Sequence, residues 1–388
     1  MDITIQPRTL GGKINVIPSK SLAHRYLICA AFASSPTILI CPQTNRDIEA
    51  TADCLNALGA HIVRTCDGYH IEPIGKVSHT AVLNCCESGS TLRFMLPIVG
   101  ALGVDAAFQM EGRLPQRPLS PLWEEMERKG CILARPTPNT IRCQGKLTGG
   151  DYYIDGSVSS QFITGLYFAL PLLNAENSLF ITGKLQSKPY ITMTVHAIGL
   201  FGYPGNRSPG TVVAEGDWSN GAFWLAAAAL QNNIEVTNLN SDSPQGDRAV
   251  AALLPKLDEN ITIDASDIPD LVPILAVVAA VKHGAVFTNI QRLRLKESDR
   301  VATVIEMIEN LGGKAESTND TLTICGTGLQ GGTVNSHNDH RIAMAAGIAA
   351  TVCTLPVTIL GAEAVKKSYP SFWEEYRKLG GHYEQYLR

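Results

Sequence analysis

Hydrophobic and polar positions along the chain alternate between helical and strand-like runs that meet at glycines. Leu55-Asn56-Ala57-Leu58-Gly59-Ala60-His61-Ile62-Val63 reads as an amphipathic helix ended by Gly59 and followed by a short strand, since glycine accepts the left-handed conformation that closes a helix. The same phrase returns in Met126-Glu127-Arg128-Lys129-Gly130-Cys131-Ile132-Leu133, Ile198-Gly199-Leu200-Phe201-Gly202-Tyr203, Ile308-Glu309-Asn310-Leu311-Gly312-Gly313-Lys314-Ala315 and Tyr376-Arg377-Lys378-Leu379-Gly380-Gly381-His382-Tyr383. The first three copies lie roughly 70 residues apart and the last two are similarly spaced, the mark of an internal structural repeat. Leu257-Asp258-Glu259-Asn260-Ile261-Thr262-Ile263 is a divergent candidate for a sixth copy. Val212 to Asp217 reads as a strand entering a turn, and Trp218 to Leu230 as an alanine-rich helix. The pattern predicts repeated α/β units.

A second pattern is polar. Leu295-Lys296-Glu297-Ser298-Asp299-Arg300 crowds two cations and two acids in front of Val301, Val304, Ile305 and Ile308, which recur at helical spacing. The charged residues therefore sit at a helix start, where unpaired backbone N–H groups and the dipole favour anions. Four more segments share the design: Pro18-Ser19-Lys20-Ser21-Leu22-Ala23-His24-Arg25, Glu87-Ser88-Gly89-Ser90-Thr91-Leu92-Arg93, Gly156-Ser157-Val158-Ser159-Ser160-Gln161-Phe162 and Asn338-Asp339-His340-Arg341-Ile342-Ala343-Met344. Each taken alone is an ordinary N-cap or a solvated ion-paired helix start. Together they suggest one polyanion site assembled from distant segments.

Length and composition narrow the class. The 388 residues exceed the usual single core, so two domains are expected, and the 45% hydrophobic content suffices to fill them. A net charge of −4 argues against a general nucleic-acid or membrane surface. Met1-Asp2 opens no basic-then-apolar leader, and the longest apolar run, Leu271 to Val281, is too short to span a bilayer and contains Pro273. Ten cysteines with no Cys-x-x-Cys pair read as reduced, mostly buried cytosolic thiols with no metal site. A cytoplasmic location is expected.

The Ser-Lys-Ser…Arg, Ser-Ser-Gln, Ser-Lys-Pro-Tyr, Lys-Glu-Ser-Asp-Arg and Asn-Asp-His-Arg segments, in this order over nearly the whole length, resemble the 5-enolpyruvylshikimate-3-phosphate synthase family of enolpyruvyl transferases. The resemblance implies a two-domain inside-out α/β barrel of six βαβαββ units, three per domain, with helices inside and sheets outside. It implies one domain from residues 1–18 and 216–388, a second from 19–215, and ligands in the cleft between them. The implied reaction moves the carboxyvinyl group of phosphoenolpyruvate to the 5-hydroxyl of shikimate 3-phosphate and releases phosphate. It needs no metal or redox cofactor and no partner beyond the two substrates; a monomer is expected.

Carried over by position, the resemblance gives catalytic roles to Asp270, Glu297, Lys296 and Lys20. It places Lys20, Ser21, Arg25, Ser159, Ser160, Gln161, Ser187, Tyr190, Asp270 and Lys296 around shikimate 3-phosphate. Lys20, Gly89, Ser90, Arg117, Gln161, Arg300, Asp339, Arg341 and Lys367 would surround phosphoenolpyruvate. Without that context, Asp270 reads as a helix cap before Leu271, Ser159 and Ser160 as caps, and Arg117 as a plain loop arginine. Asp270 is the candidate base for the hydroxyl, and Glu297 the candidate acid for the methylene carbon, with Lys296 sharing the proton traffic. Glu87 and Arg292 stand where many relatives carry Asn. Two other readings compete. One is UDP-N-acetylglucosamine enolpyruvyl transferase, whose loop cysteine is missing from Glu111 to Pro118; the other is an RNA-processing or RNA-binding protein on related repeats, disfavoured by the acidic balance and the lack of a P-loop.

Overall fold

The computed structural model describes residues 1–386. The chain divides into a discontinuous unit, Met1–Ile17 with Gly216–Arg388, and a continuous unit, Pro18–Glu215. The first crossing falls one residue earlier than the sequence reading puts it. Each unit has its own hydrophobic core, and each contributes three of six sheets.

Two repeats are complete. In the continuous unit, Thr80–Asn84 and Asp105–Gln109 pair in parallel, and the hairpin Cys131–Thr137 and Thr140–Gly145 adds on in antiparallel register. The discontinuous unit repeats this with Ile261–Asp264 and Ala285–Thr288, then Thr321–Cys325 and Lys314–Ser317. Two more sheets are completed by a strand distant in sequence: Thr211–Val213 joins Thr37–Ile40, and Asp2–Ile5 lies between Val357–Leu360 and Tyr383–Tyr386. The remaining two keep only the parallel pair, Gly150–Asp155 with Asn177–Thr182 and Gly11–Asn15 with Asn233–Thr237.

These short sheets explain two departures from the helix-glycine-strand phrase. The helix Lys188–Phe201 ends at left-handed Gly202 as expected, yet the next strand begins only at Thr211. Leu257 lies in a 3-10 turn that starts at Pro255, and Ile261–Asp264 is the first strand of a repeat rather than part of its hairpin. Proline has no N–H with which to extend the short helix before it.

Within each unit the helices form the interior. All ten residues of His340–Ala349 and nine of the ten in Val272–Val281 are buried, and apart from His340 and Arg341 those sequences are apolar on every side. Strands such as Asn177–Thr182 instead alternate half-buried and exposed residues. Among the described residues no helix is long and apolar enough to cross a membrane.

All five polar motifs begin helices. Ser19, Ser88, Ser159, Asp299 and Asp339 are N-caps whose side chains accept backbone N–H groups of Leu22, Thr91, Gln161, Val301 with Ala302, and Arg341. Two of these helices, Gly89–Leu102 and Ser160–Ala169, touch through Gly165. A Cβ there would stand 2.2 Å from the Arg93 carbonyl oxygen and 2.8 Å from the Pro97 ring. Gly165→Ala should therefore push the helices apart and lower stability by about 1–3 kcal/mol. Urea unfolding reads this directly, and an unchanged midpoint would show that the helices do not depend on that contact.

Candidate active site

In the discontinuous unit the candidate residues converge on one buried guanidinium. Arg300 is 1% exposed; its Nε donates to Asp339 Oδ2 at 2.8 Å, one terminal nitrogen to Asp270 Oδ1 at 2.6 Å, and the other to Glu297 Oε2 at 2.6 Å. A longer contact of 3.4 Å reaches Asp339 Oδ1. Four of its five N–H donors are thus committed to three carboxylates. Arg300 starts its helix three residues after Glu297, so the sequence run itself delivers one partner. Asp270 and Asp339 come from two other segments.

Asp270 does not act as the helix cap its position suggested, since the helix Val272–Val281 has no side-chain cap. Its carboxylate instead faces three cations: Arg300, Arg341 Nη2 at 3.3 Å and Lys296 Nζ at 3.6 Å. Arg341 also donates to the Asp270 carbonyl at 3.3 Å. Asp339, fully buried, accepts from Ser298 Oγ at 3.0 Å and caps the Arg341 backbone. Lys367 Nζ bonds the Asn338 carbonyl at 2.8 Å, next to this cluster in sequence.

The electrostatics follow from burial and pairing. Burial alone would lower the Arg300 pKa, but Asp339, Glu297 and Asp270 outweigh it and raise it well above the ordinary value. Burial would likewise raise Asp339, yet Arg300 holds it below the ordinary carboxyl value. Lys296 is different: burial, with the positive charges of Arg300 and Arg292, brings it down to about 8 despite Asp270. Arg292 is therefore a second positive charge, after Arg300, that favours loss of the Lys296 proton.

The continuous unit carries the other candidates. Lys20 Nζ meets Asp47 Oδ2 at 3.0 Å. Arg25 is buried and anchored by Thr194 Oγ1 at 2.9 Å, the Ser21 carbonyl at 2.6 Å and the Tyr190 carbonyl at 2.8 Å. Ser187, left-handed with φ 55°, turns the chain into the helix that carries Tyr190. Gln161 bridges two elements, donating to Ser90 Oγ and accepting from Arg93 Nη1, each at 3.0 Å. Ser159 and Ser160 stand at the start of the same helix.

Gly89 has a steric role. A Cβ on it would lie 2.6 Å from Arg93 Nη1 and 2.7 Å from Arg117 Nη1. Two guanidinium groups thus lie against a bare backbone at the start of Gly89–Leu102, an arrangement suited to a phosphate or carboxylate. The Glu87 carboxylate lies against Gly112, where a Cβ would fall 1.5 Å from Glu87 Oε1. Its charge is therefore placed toward the loop that also carries Arg117.

Sequence reasoning did not single out Asp47, Arg93, Ser298 or Asp247. Asp47 is a first-turn acid of the helix Arg46–Leu58 and Ser298 lies within a charged run, and their partners Lys20 and Asp339 are remote in sequence. Asp247 lies in a 3-10 turn with no periodic signal. It is buried, bonded to Ser219 Oγ, and pushed up to about 7 by burial and then by Asp270, against Arg341.

The family model for EPSP synthase (3-phosphoshikimate 1-carboxyvinyltransferase) matches residues 5–376. The chain belongs to the EPSP synthase family. It is 38% identical over 421 residues to the 3-phosphoshikimate 1-carboxyvinyltransferase of Clostridium kluyveri, covering 99% of this chain and 98% of that protein. It is 39% identical to the enzyme of that name from Clostridium acetobutylicum over 416 residues, covering 98% and 97%. In fold it resembles EPSP synthase from Acinetobacter baumannii, with a TM-score of 0.80, 23% identity and coverage of 99% and 100%. The enolpyruvyl transferase NikO from Streptomyces tendae gives 0.70 at 17% identity, covering 99% and 98%.

Two outcomes test this site. Arg300→Leu strands the buried Asp339 carboxylate and should cost about 3–5 kcal/mol in urea unfolding; a loss under about 1 kcal/mol would show that the carboxylates do not need it. Lys296 gives up its proton near pH 8 when folded and near 10.5 when unfolded, so the unfolded chain holds more protons between these values. Its contribution to stability therefore rises with pH through that window. Lys296→Met should remove that part of the rise, and identical pH dependence in both proteins would contradict the assignment.

Proposed function

We infer that the chain transfers the carboxyvinyl group of phosphoenolpyruvate to the 5-hydroxyl of shikimate 3-phosphate, as a transferase of the shikimate pathway. The observation that carries this reading is the full-length family match, joined to two preassembled clusters whose charges suit two phosphate- and carboxylate-bearing substrates. We further propose that both units serve one reaction, since the acid-base candidates belong to one and the Gly89 anion site to the other. The protein acts as a cytoplasmic monomer without nucleic acid.

In chemical terms, the 5-oxygen attacks C2 of phosphoenolpyruvate while its proton passes to Asp270 or, through it, to Lys296 in its neutral amine form, 3.6 Å away. C3 takes a proton, for which Glu297 is the donor. Elimination returns a proton from C3 and breaks the C2–O bond, so phosphate leaves. Arg117, Arg341 and Lys367 stabilise charge on the donor, with Arg93 as a further cation beside Gly89. Arg300 keeps one N–H for a ligand while fixing the three carboxylates. Ser159, Ser160, Gln161, Ser187, Tyr190, Ser21 and Arg25 hold the acceptor. Lys20, braced by Asp47, serves both substrates.

A phosphate-release assay tests the reading: release should require both substrates together. Asp270→Asn and Glu297→Gln should each lower kcat by roughly 10²-fold or more with the fold intact by circular dichroism. Release from phosphoenolpyruvate alone, or near-normal kcat in either variant, would overturn the corresponding assignment.

A further inference from the structure

A buried chain of hydrogen bonds in the continuous unit has no part in the roles above. His24 Nδ1 lies 2.7 Å from Thr51 Oγ1, Thr51 Oγ1 lies 2.7 Å from Thr91 Oγ1, and Thr91 Oγ1 donates to Ser88 Oγ at 2.7 Å. All four residues are 1% exposed or less. They come from three helices, Lys20–Ala31, Arg46–Leu58 and Gly89–Leu102, plus the N-cap of the third.

The direction of the chain can be derived. Each hydroxyl has one proton. Thr91 gives its proton to Ser88, so it accepts from Thr51, and Thr51 in turn accepts from His24. The imidazole must then carry its proton on Nδ1. Its Nε2 has no hydrogen-bond partner among the described residues, and the ring meets Phe94 edge-on with centroids 6.3 Å apart. Burial, then Lys20 and Arg25, lower its pKa well below the ordinary value, so the donor stays neutral.

The chain ends where the anion site begins. Ser88 Oγ receives both the O–H and the backbone N–H of Thr91, and Gly89 and Ser90 follow directly. Thr91 Oγ1 also approaches the carbonyl of Asp47 at 3.3 Å, and Asp47 holds Lys20. Arg25 has its own anchors in Thr194 and the Ser21 and Tyr190 carbonyls.

We propose that the His24–Thr51–Thr91–Ser88 chain is a positioning device that fixes three helix starts against one another, so that the Ser88–Gly89–Ser90 turn is in place for the anionic end of phosphoenolpyruvate. His24 is a positioning residue that acts through two threonines. The inference rests on the function stated above. Breaking the chain should loosen the phosphoenolpyruvate end and leave the acceptor end, anchored separately, in place.

The test is steady-state kinetics with each substrate varied at saturating levels of the other. Thr51→Val keeps the shape and removes the hydroxyl; it and His24→Leu should raise KM for phosphoenolpyruvate roughly 10-fold. KM for shikimate 3-phosphate should stay within about twofold. Thr51→Ser restores the hydroxyl, and His24→Asn can present a side-chain N–H where Nδ1 stood, so both should recover most of the loss. Thr51→Val keeps the test informative if His24→Leu fails to fold. An unchanged phosphoenolpyruvate KM in Thr51→Val, or equal losses at both substrates, overturns the proposal while wild-type turnover stands. No turnover in the wild type overturns the functional reading instead. Nitrogen-15 NMR of labelled histidine gives a readout independent of activity: His24 should be an Nδ1–H tautomer that does not titrate between about pH 5 and 8. An Nε2–H tautomer or a titration in that range contradicts the derived direction.

Discussion

The discontinuous unit depends on compensating one buried cation. A guanidinium that is 1% exposed is tolerable only because Asp270, Glu297 and Asp339 surround it, since an unpaired charge at such a depth costs several kcal/mol. The same requirement runs in reverse for Asp339, which is fully buried. The result is a rigid arrangement of carboxylates with fixed geometry. Electrostatic preorganisation of this kind places charge before the substrate arrives, so little reorganisation remains for the reaction itself.

Compensation also creates two distinct proton carriers. Arg300 and Asp339 hold each other charged, whereas Lys296 and Asp247 are moved toward neutrality by burial and by like charges nearby. Groups moved toward neutrality in this way can hand protons over near neutral pH, whereas Arg300 and Asp339, held charged by each other, cannot. The continuous unit follows another logic. Its proposed anion site combines bare backbone at Gly89 with two arginines, and a hydrogen-bonded chain ends beside it at Ser88.

Much of this was legible in the residue pattern because the signals are local. Caps, first-turn charges and apolar spacing lie within a few residues of one another, and all five polar motifs begin helices as that spacing requires. The fold class followed from the repeated helix-glycine-strand phrase together with the family resemblance. What escaped was long-range. Asp270 looked like a cap because its cationic partners lie up to 71 residues away in the chain. Asp47, Arg93 and Asp247 gained meaning only once the fold set Lys20, Gln161 and Asp270 near them. The two sheets reduced to a parallel pair left no mark in the sequence, since the hairpin each lacks is simply not encoded.

The central claim is that these groups drive carboxyvinyl transfer, which must break the bond between C2 and the bridging oxygen of phosphoenolpyruvate. Donor labelled with oxygen-18 at that bridging position tests it most directly. With shikimate 3-phosphate present, mass spectrometry of the products should find the label in the released phosphate and none in the enol ether. Label retained in the organic product would mean that the P–O bond breaks, and the account of this site as an enolpyruvyl transferase would be contradicted.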